Sequence, residues 1–166
     1  MDLKKELSKI CLALNKDNVK YLLIGGCAII LHGYYRTTHD IDLLVEPSPE
    51  NIRKLKNSLA RLLGSKEVFE IKDDDITNYT VVRFAPEAEE IVIDLIGRVG
   101  EITYEVAQKE IEEVELEGIS IPVCGLMTLI ETKRGIRPKD KDDLNFLLEK
   151  KNYREKQSKL NGKKII

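Results

Sequence analysis

The spacing of apolar positions changes repeatedly along the chain, and each change predicts an element. Leu3, Leu7, Ile10, Cys11 and Leu14 recur three and four residues apart. That is the spacing of one helix face, so residues 3–15 are expected to be helical. The polar run Asn15–Asn18 breaks the pattern. Val19–Ile24 is a short apolar run ending in Gly25-Gly26, which reads as a buried strand entering a turn. Cys27–His32 fits a short helix closed by Gly33, and Tyr34–Thr38 fits a loop. Asp40–Val45 alternates polar and apolar residues as a strand does, and Pro47 ends it. Ser48 suits an N-cap with Pro49 at the first helical position, so a helix should run to Leu63, where Gly64 stops it.

Three strand-like segments follow, Glu67–Ile71, Tyr79–Phe84 and Glu90–Ile96, with the acidic Asp73-Asp74-Asp75 in an exposed turn. Ile102–Gln108 is expected to be a short helix. Glu112–Leu116 and Ile119–Val123 flank Glu117-Gly118, a two-residue hairpin signal. Leu126–Arg134 is helical in pattern, and Pro138 opens a last helix through Lys150 or beyond. This order predicts an α+β fold: a mixed β-sheet flanked by helices, with helices at the C-terminal end. The expected organisation is one domain over residues 1–150 and a basic tail over 151–166.

Composition narrows the class. Among 166 residues, 42% are hydrophobic and 34% charged, enough apolar material for a true core. No apolar run nears the roughly 20 residues of a membrane span, and the N-terminus lacks the apolar stretch of a secretory signal. The three cysteines, Cys11, Cys27 and Cys124, have no metal-type spacing and read as buried, reduced thiols. A cytoplasmic protein with no membrane partner is expected. Charge is uneven: residues 150–166 hold seven Lys/Arg and one Glu, a net +6, so the chain total of −2 leaves −8 for residues 1–149. Such an end is either a solvated terminus or a hold for a polyanion such as RNA, with Tyr153 as its one aromatic.

The most informative feature is His39-Asp40-Ile41-Asp42-Leu43-Leu44-Val45. Residues two apart in a strand share a side, so Asp40 and Asp42 leave one face while Ile41, Leu43 and Val45 face a core. Carboxylates that close repel one another, and a cation makes the arrangement useful. Asp94 sits in the middle of the apolar Ile91-Val92-Ile93-Asp94-Leu95-Ile96, where burying it demands a partner. If the two strands are neighbours, Asp94 completes a triad able to hold one or two Mg²⁺ ions, which also bind nucleotide phosphates. The alternative is an ion pair between Asp94 and a basic residue such as Arg36. Gly25-Gly26 can bring backbone close to a phosphate.

Other charges fall on inward stripes. Lys133 shares a helix face with Leu129 and Ile130, and Asp140 shares one with Leu144. Lys133 can reach a triphosphate with Asp140 holding it in place, or a Lys133–Asp140 or Arg137–Asp143 pair can simply tie two helices. Arg36 precedes Asp40 by four residues, in a loop suited to closing over phosphates, which its guanidinium matches bidentately. His32 and His39 read as a packed or exposed histidine, and Tyr34 and Tyr35 as cover for the core edge or as stacking partners for a base.

Gly25-Gly26, thirteen intervening residues, Asp40-Ile41-Asp42 and a later Asp94 resemble the nucleotidyltransferase fold superfamily, the polymerase-beta-like group. The similarity is closest to small prokaryotic members, through Gly25-Gly26-Cys27-Ala28, His32-Gly33 and Arg36-Thr37-Thr38-His39-Asp40-Ile41-Asp42. Leu126, Leu129, Ile130, Lys133, Arg137-Pro138-Lys139-Asp140, Asp143 and Leu144 resemble the last motifs of toxin-type nucleotidyltransferases of abortive-infection systems. The resemblance covers residues 20–150. It implies that Gly25 and Gly26 bind a nucleotide triphosphate and that Asp40, Asp42 and Asp94 bind metal.

The expected activity is therefore Mg²⁺-dependent (or Mn²⁺-dependent) transfer of a nucleoside monophosphate from an NTP such as ATP to an acceptor hydroxyl or phosphate, releasing pyrophosphate. Asp40, Asp42, Asp94 and Lys133 are the expected catalytic residues. Gly25, Gly26, Arg36, Lys133 and Asp140 are the expected nucleotide-binding residues. The acceptor stays open between RNA, a small molecule and a protein, with an antitoxin as a partner in a toxin–antitoxin setting. The other reading is a catalytically silent nucleotide-binding or partner-binding module of the same fold.

Overall fold

The computed structural model describes residues 2–135 and 137–163, except for the side chains of Lys139 and Lys163. Lys164, counted in the basic end, lies outside the described residues together with Ile165 and Ile166.

Helix α1 (Leu3–Lys16) is capped by Asp2, which accepts from Lys5 N–H, and buries Leu7, Ile10, Cys11 and Leu14. Strand β1 (Tyr21–Ile24) is wholly buried. It runs directly into α2 (Gly25–Leu31), which therefore starts two residues earlier than the pattern predicts. Gly25 makes the sharp change of direction at φ +64°, a conformation that disfavours residues with a Cβ. Strand β2 (Asp40–Val45) and helix α3 (Pro49–Leu63) have the predicted bounds. Ser48 accepts from Asn51 N–H, and Gly64 ends α3 in the left-handed region.

The next stretch corrects the sequence expectation. Glu67–Glu70 is a turn of 3₁₀ helix, not a strand. Only Val68 and Ile71 are buried there, three residues apart, while Glu67, Phe69 and Glu70 face solvent. That spacing suits a helical turn and defeats alternation. Helix α4 (Asp75–Asn78) precedes a strand shortened to β3 (Val82–Phe84). Asp73 and Asp74 are exposed as expected, and Asp73 accepts from Lys56 Nζ at 2.6 Å. Strand β4 is Val92–Ile96. Two-residue strands β5 (Arg98–Val99) and β6 (Ile102–Thr103) pair with each other, so the helix expected over 102–108 shrinks to α5 (Tyr104–Ala107), capped by Thr103. The predicted hairpin forms from β7 (Ile111–Leu116) and β8 (Ile119–Cys124), with Glu117 and Gly118 both at positive φ. Helix α6 spans Leu126–Lys133, and α7 spans Lys139–Lys163 without a break, so residues 151–163 continue the last helix.

Six strands form one mixed sheet in the order β3-β4-β2-β1-β8-β7. β2 pairs antiparallel with β1 and parallel with β4, which pairs antiparallel with β3. Helices α1 and α3 pack on each other, α2 packs against β1 and β2, and α6 packs on α7. The core runs through Ile10, Leu14, Leu22, Leu23, Ile41, Leu43, Ile52, Leu55 and Leu59, all fully buried. Each such side chain contributes about 1.5–3 kcal/mol by leaving water. The architecture is the expected α+β arrangement: its central strands β4 and β2 carry the acidic residues, and β1 leads straight into the glycine pair that opens α2. Among the described residues, no helix is long and apolar enough to cross a membrane. All three cysteines are buried free thiols.

Candidate active site

Register brings the acidic residues together. β2 and β4 are parallel neighbours with Asp42 opposite Asp94, so two carboxylates far apart in sequence become adjacent. On the other side of β2, Ile24 pairs with Asp42, which puts Gly25 beside the Asp42 side chain. A Cβ on Gly25 would lie 2.0 Å from Asp42 Oδ2, and one on Gly26 would lie 2.7 Å from Thr38 Oγ1. The glycine pair is therefore a close-approach device. It lets the Asp42 carboxylate and the Thr38 side chain lie directly on backbone, and Gly26 N–H donates to Asp42.

Burial and the neighbouring Asp94 charge push the Asp42 carboxyl up to about 6, against the Gly26 hydrogen bond and the Lys133 charge, which pull it down. Asp94 is buried and Asp40 partly exposed.

These carboxylates line a cavity of about 650 Å³ together with Gly25, Gly26, Arg36 and Lys133. Thus the predicted residues Gly25, Gly26, Arg36, Asp40, Asp42, Asp94 and Lys133 all meet at one cavity. Asp140 is the exception. It is 1% exposed and stands behind Lys133, not at the cavity wall.

The basic residues are held from behind. Lys133 Nζ lies 3.0 Å from both Asp140 Oδ1 and Asp143 Oδ2. Arg36 Nη1 donates to Asp143 at 2.5 Å, and Arg137 Nε to Asp140 at 2.8 Å. The expected Lys133–Asp140 pair is present, whereas Arg137 turns to Asp140 instead of Asp143. Burial alone would raise Asp140, but Lys133 and Arg137 outweigh it and hold the carboxyl below its ordinary value. The network ties loop 34–38 to α6 and α7. Tyr34 stacks on Phe146 of α7 with ring centroids 4.8 Å apart, while Tyr35 is fully exposed.

One site residue escapes sequence reasoning. Asp94 pairs not with Arg36 but with Arg83, directly opposite it in the β3–β4 register. Arg83 Nε donates to Asp94 Oδ1 at 2.8 Å, and Nη2 donates to Asp94 Oδ2 at 2.8 Å and to Asp40 Oδ2 at 3.1 Å. The available signal is Val82-Arg83-Phe84, an arginine between apolar neighbours one hairpin away from a buried aspartate. Of the histidines, His32 is buried and His39 exposed.

The comparisons with known proteins bear on family and fold. Residues 1–96 match a family described as nucleotidyltransferases of unknown function (DUF6036). The chain belongs to this nucleotidyltransferase family. The matched region holds Gly25, Gly26, Asp40, Asp42, Arg83 and Asp94 and ends before Lys133 and Asp140. A crystal structure from Thermotoga maritima, provisionally described as a nucleotidyltransferase, aligns over 93% of this chain and 92% of its own at 16% identity, with a TM-score of 0.50. That likeness is one of fold. No curated protein matches the chain.

Within this nucleotidyltransferase frame the donor set suits a hard divalent cation. Three carboxylates supply oxygen ligands, and the Asp94 charge already disfavours ionisation of Asp42. A cation is in fact there, the Arg83 guanidinium on Asp94 and Asp40. Among the described residues, no three His, Cys, Asp or Glu side chains converge at metal-binding geometry as they stand. The chemistry fits the ion, and the side-chain arrangement shown is the one held by arginine.

Proposed function

We propose that this chain transfers a nucleoside monophosphate from an NTP to an acceptor hydroxyl or phosphate, with release of pyrophosphate. The observation that carries the reading is the in-register pairing of Asp42 with Asp94, beside Asp40 and the Gly25-Gly26 close approach, at a cavity also lined by Lys133. Mg²⁺ (or Mn²⁺) held by Asp40, Asp42 and Asp94 would supply charge neutralisation at the phosphate oxygens.

This chain's own residues do the rest. Lys133, oriented by Asp140 and Asp143, binds the triphosphate as a fixed point charge. Arg36, held by Asp143 through Nη1 and by Thr37 O through Nε, offers its remaining guanidinium donors to phosphate from the loop beside it. Gly25 and Gly26 leave the cavity floor free of side chains. Asp94 orients and deprotonates an acceptor hydroxyl in this reading. The acceptor oxygen bonds to the α-phosphorus, the bond to the β-phosphate oxygen breaks, and the hydroxyl proton goes to the carboxylate. Catalysis is then positioning plus charge neutralisation.

The test is incubation with labelled NTPs and total RNA, small-molecule or protein acceptors, for wild type and Asp42→Asn. Transfer lost in Asp42→Asn supports the reading, and equal transfer by both forms removes Asp42 from the chemistry. RNA modification by a toxin-type enzyme is the first acceptor to try, because Lys156 and Lys159 stand exposed on α7. A second reading, a silent nucleotide-binding module, is favoured by the Arg83 fork on Asp94. It predicts NTP binding without transfer to any acceptor.

A further inference from the structure

Arg83 is the cationic residue in direct hydrogen-bond contact with the acidic strands. Its fork engages both oxygens of Asp94, and the same Nη2 reaches Asp40. Lys133, the other cation felt by Asp42, is committed to Asp140 and Asp143. Without Arg83, three carboxylates would face one another with little to offset their repulsion. A guanidinium cannot relieve a crowded site by losing its proton, so it yields to another cation only by moving. The structure allows that movement. The Arg83 side chain is 58% exposed on a three-residue edge strand, whereas Asp94 is 8% exposed on a strand flanked on both sides. The exposed member of the pair, the one with room to move, is the cation.

We propose that Arg83 is the resident counter-cation of this carboxylate set, and that a divalent ion binds by exchanging with it on Asp94. This rests on the nucleotidyltransferase reading above, which gives the ion its place. The salt bridge then has a defined purpose. It holds the Asp40 and Asp94 carboxylates together while no ion is bound, and it sets a threshold that the ion must overcome. The displaced guanidinium stays in the cavity meant for the triphosphate, whose oxygens match its fork. Arrival of nucleotide therefore lowers the threshold, and ion and NTP bind with positive coupling.

The experiment is Mn²⁺ titration of the full chain, read by electron paramagnetic resonance of the free ion. Wild type, Arg83→Gln and Asp42→Asn are compared, each checked for folding by circular dichroism. Removing one positive charge within contact distance of the carboxylates should tighten Mn²⁺ binding roughly tenfold or more in Arg83→Gln. Unchanged or weaker binding in folded Arg83→Gln overturns the inference and leaves the functional reading intact. No binding in any form, or binding insensitive to Asp42→Asn, overturns both. A second readout follows the wild type itself and does not depend on how Arg83→Gln folds. The ¹⁵Nε–H signal of Arg83, assigned by its loss in Arg83→Lys, should move on saturation with Mg²⁺. A signal that stays in place shows that the guanidinium never leaves Asp94, and the exchange is then wrong.

Discussion

The Asp42 carboxylate lies against the backbone of Gly25 so closely that a Cβ there would fall 2.0 Å from Oδ2 and 2.6 Å from Cγ. Gly25 also sits at φ +64°, so two independent demands meet at one position. Gly25→Ala should cost about 1–2 kcal/mol from backbone conformation alone and, in addition, swing the Asp42 carboxylate off its place. Gly64 separates the two effects. It has φ +63°, a methyl group added there would meet nothing within 4 Å, and it is remote from the cavity. Thermal melts should show both alanine variants losing stability, with NTP and metal binding lost only in Gly25→Ala. Equal binding by the two would mean that Asp42 tolerates displacement.

Lys133 offers a test of the buried charge network. Removing its ammonium leaves Asp140 and Asp143 buried, with Arg137 and Arg36 as remaining partners. Breaking a buried ion pair from one side costs about 3–5 kcal/mol, so Lys133→Met should lower the denaturant midpoint markedly and abolish NTP binding. Asp140→Asn keeps Lys133 but loosens its hold. It should raise KM for NTP more than it lowers kcat, because Asp140 positions the lysine without reaching the cavity. A drop in kcat alone would place Asp140 in the chemistry instead.

How much of this is legible in the sequence follows from where each signal resides. Asp40 and Asp42 announce themselves because alternation in β2 is a local pattern, and Asp94 because an acid is conspicuous in an apolar strand. The helix bounds of α1 and α3 follow from spacing and caps that act within a few residues. Arg83 stays hidden because its meaning depends on register. β3 is three residues long, and only antiparallel pairing with β4 sets Arg83 opposite Asp94. The Arg36–Asp143 contact spans 107 positions and depends on how loop 34–38 folds onto α7, which no local periodicity records. The 3₁₀ turn at Glu67–Glu70 escapes the pattern because a short mixed segment fits a strand as readily as a helical turn until burial is known.

His32 should make the protein acid-sensitive. Its Nε2 lies 3.1 Å from Cys124 O on β8, so the neutral ring donates there, and Lys150 Nζ approaches Nδ1 at 3.4 Å. Burial lowers its pKa below the ordinary 6.5. The Cys124 carbonyl and Glu112 on β7 oppose the change, while Lys150 and Arg154 on α7 reinforce it. The folded state thus binds the proton less readily than the unfolded chain, and stability falls as pH drops below about 6.5 toward the folded value. His32→Gln retains a donor for Cys124 O and cannot titrate. Melting temperature plotted against pH should be flatter for the variant than for wild type as pH falls below about 6.5. Parallel curves would assign the acid sensitivity elsewhere.

The end of α7 separates the acceptor classes. Lys150 is turned inward to His32 O, and Arg154 holds Glu112 through two hydrogen bonds of 2.7 and 3.0 Å. Those two cations brace the helix against β7 and the end of α2, and among the described side chains beyond them Lys156 and Lys159 are the exposed lysines that can meet a polyanion. If RNA is the acceptor, each phosphate contact contributes about 0.7 to the slope of log affinity against log salt for a single strand. Lys156→Ala with Lys159→Ala should then weaken RNA binding and reduce that slope by about 1.4. NTP binding at the cavity should not change, since neither lysine lines it. An RNA affinity and salt slope indifferent to both substitutions would direct the search to small-molecule or protein acceptors, for which this stretch of helix has no assigned part.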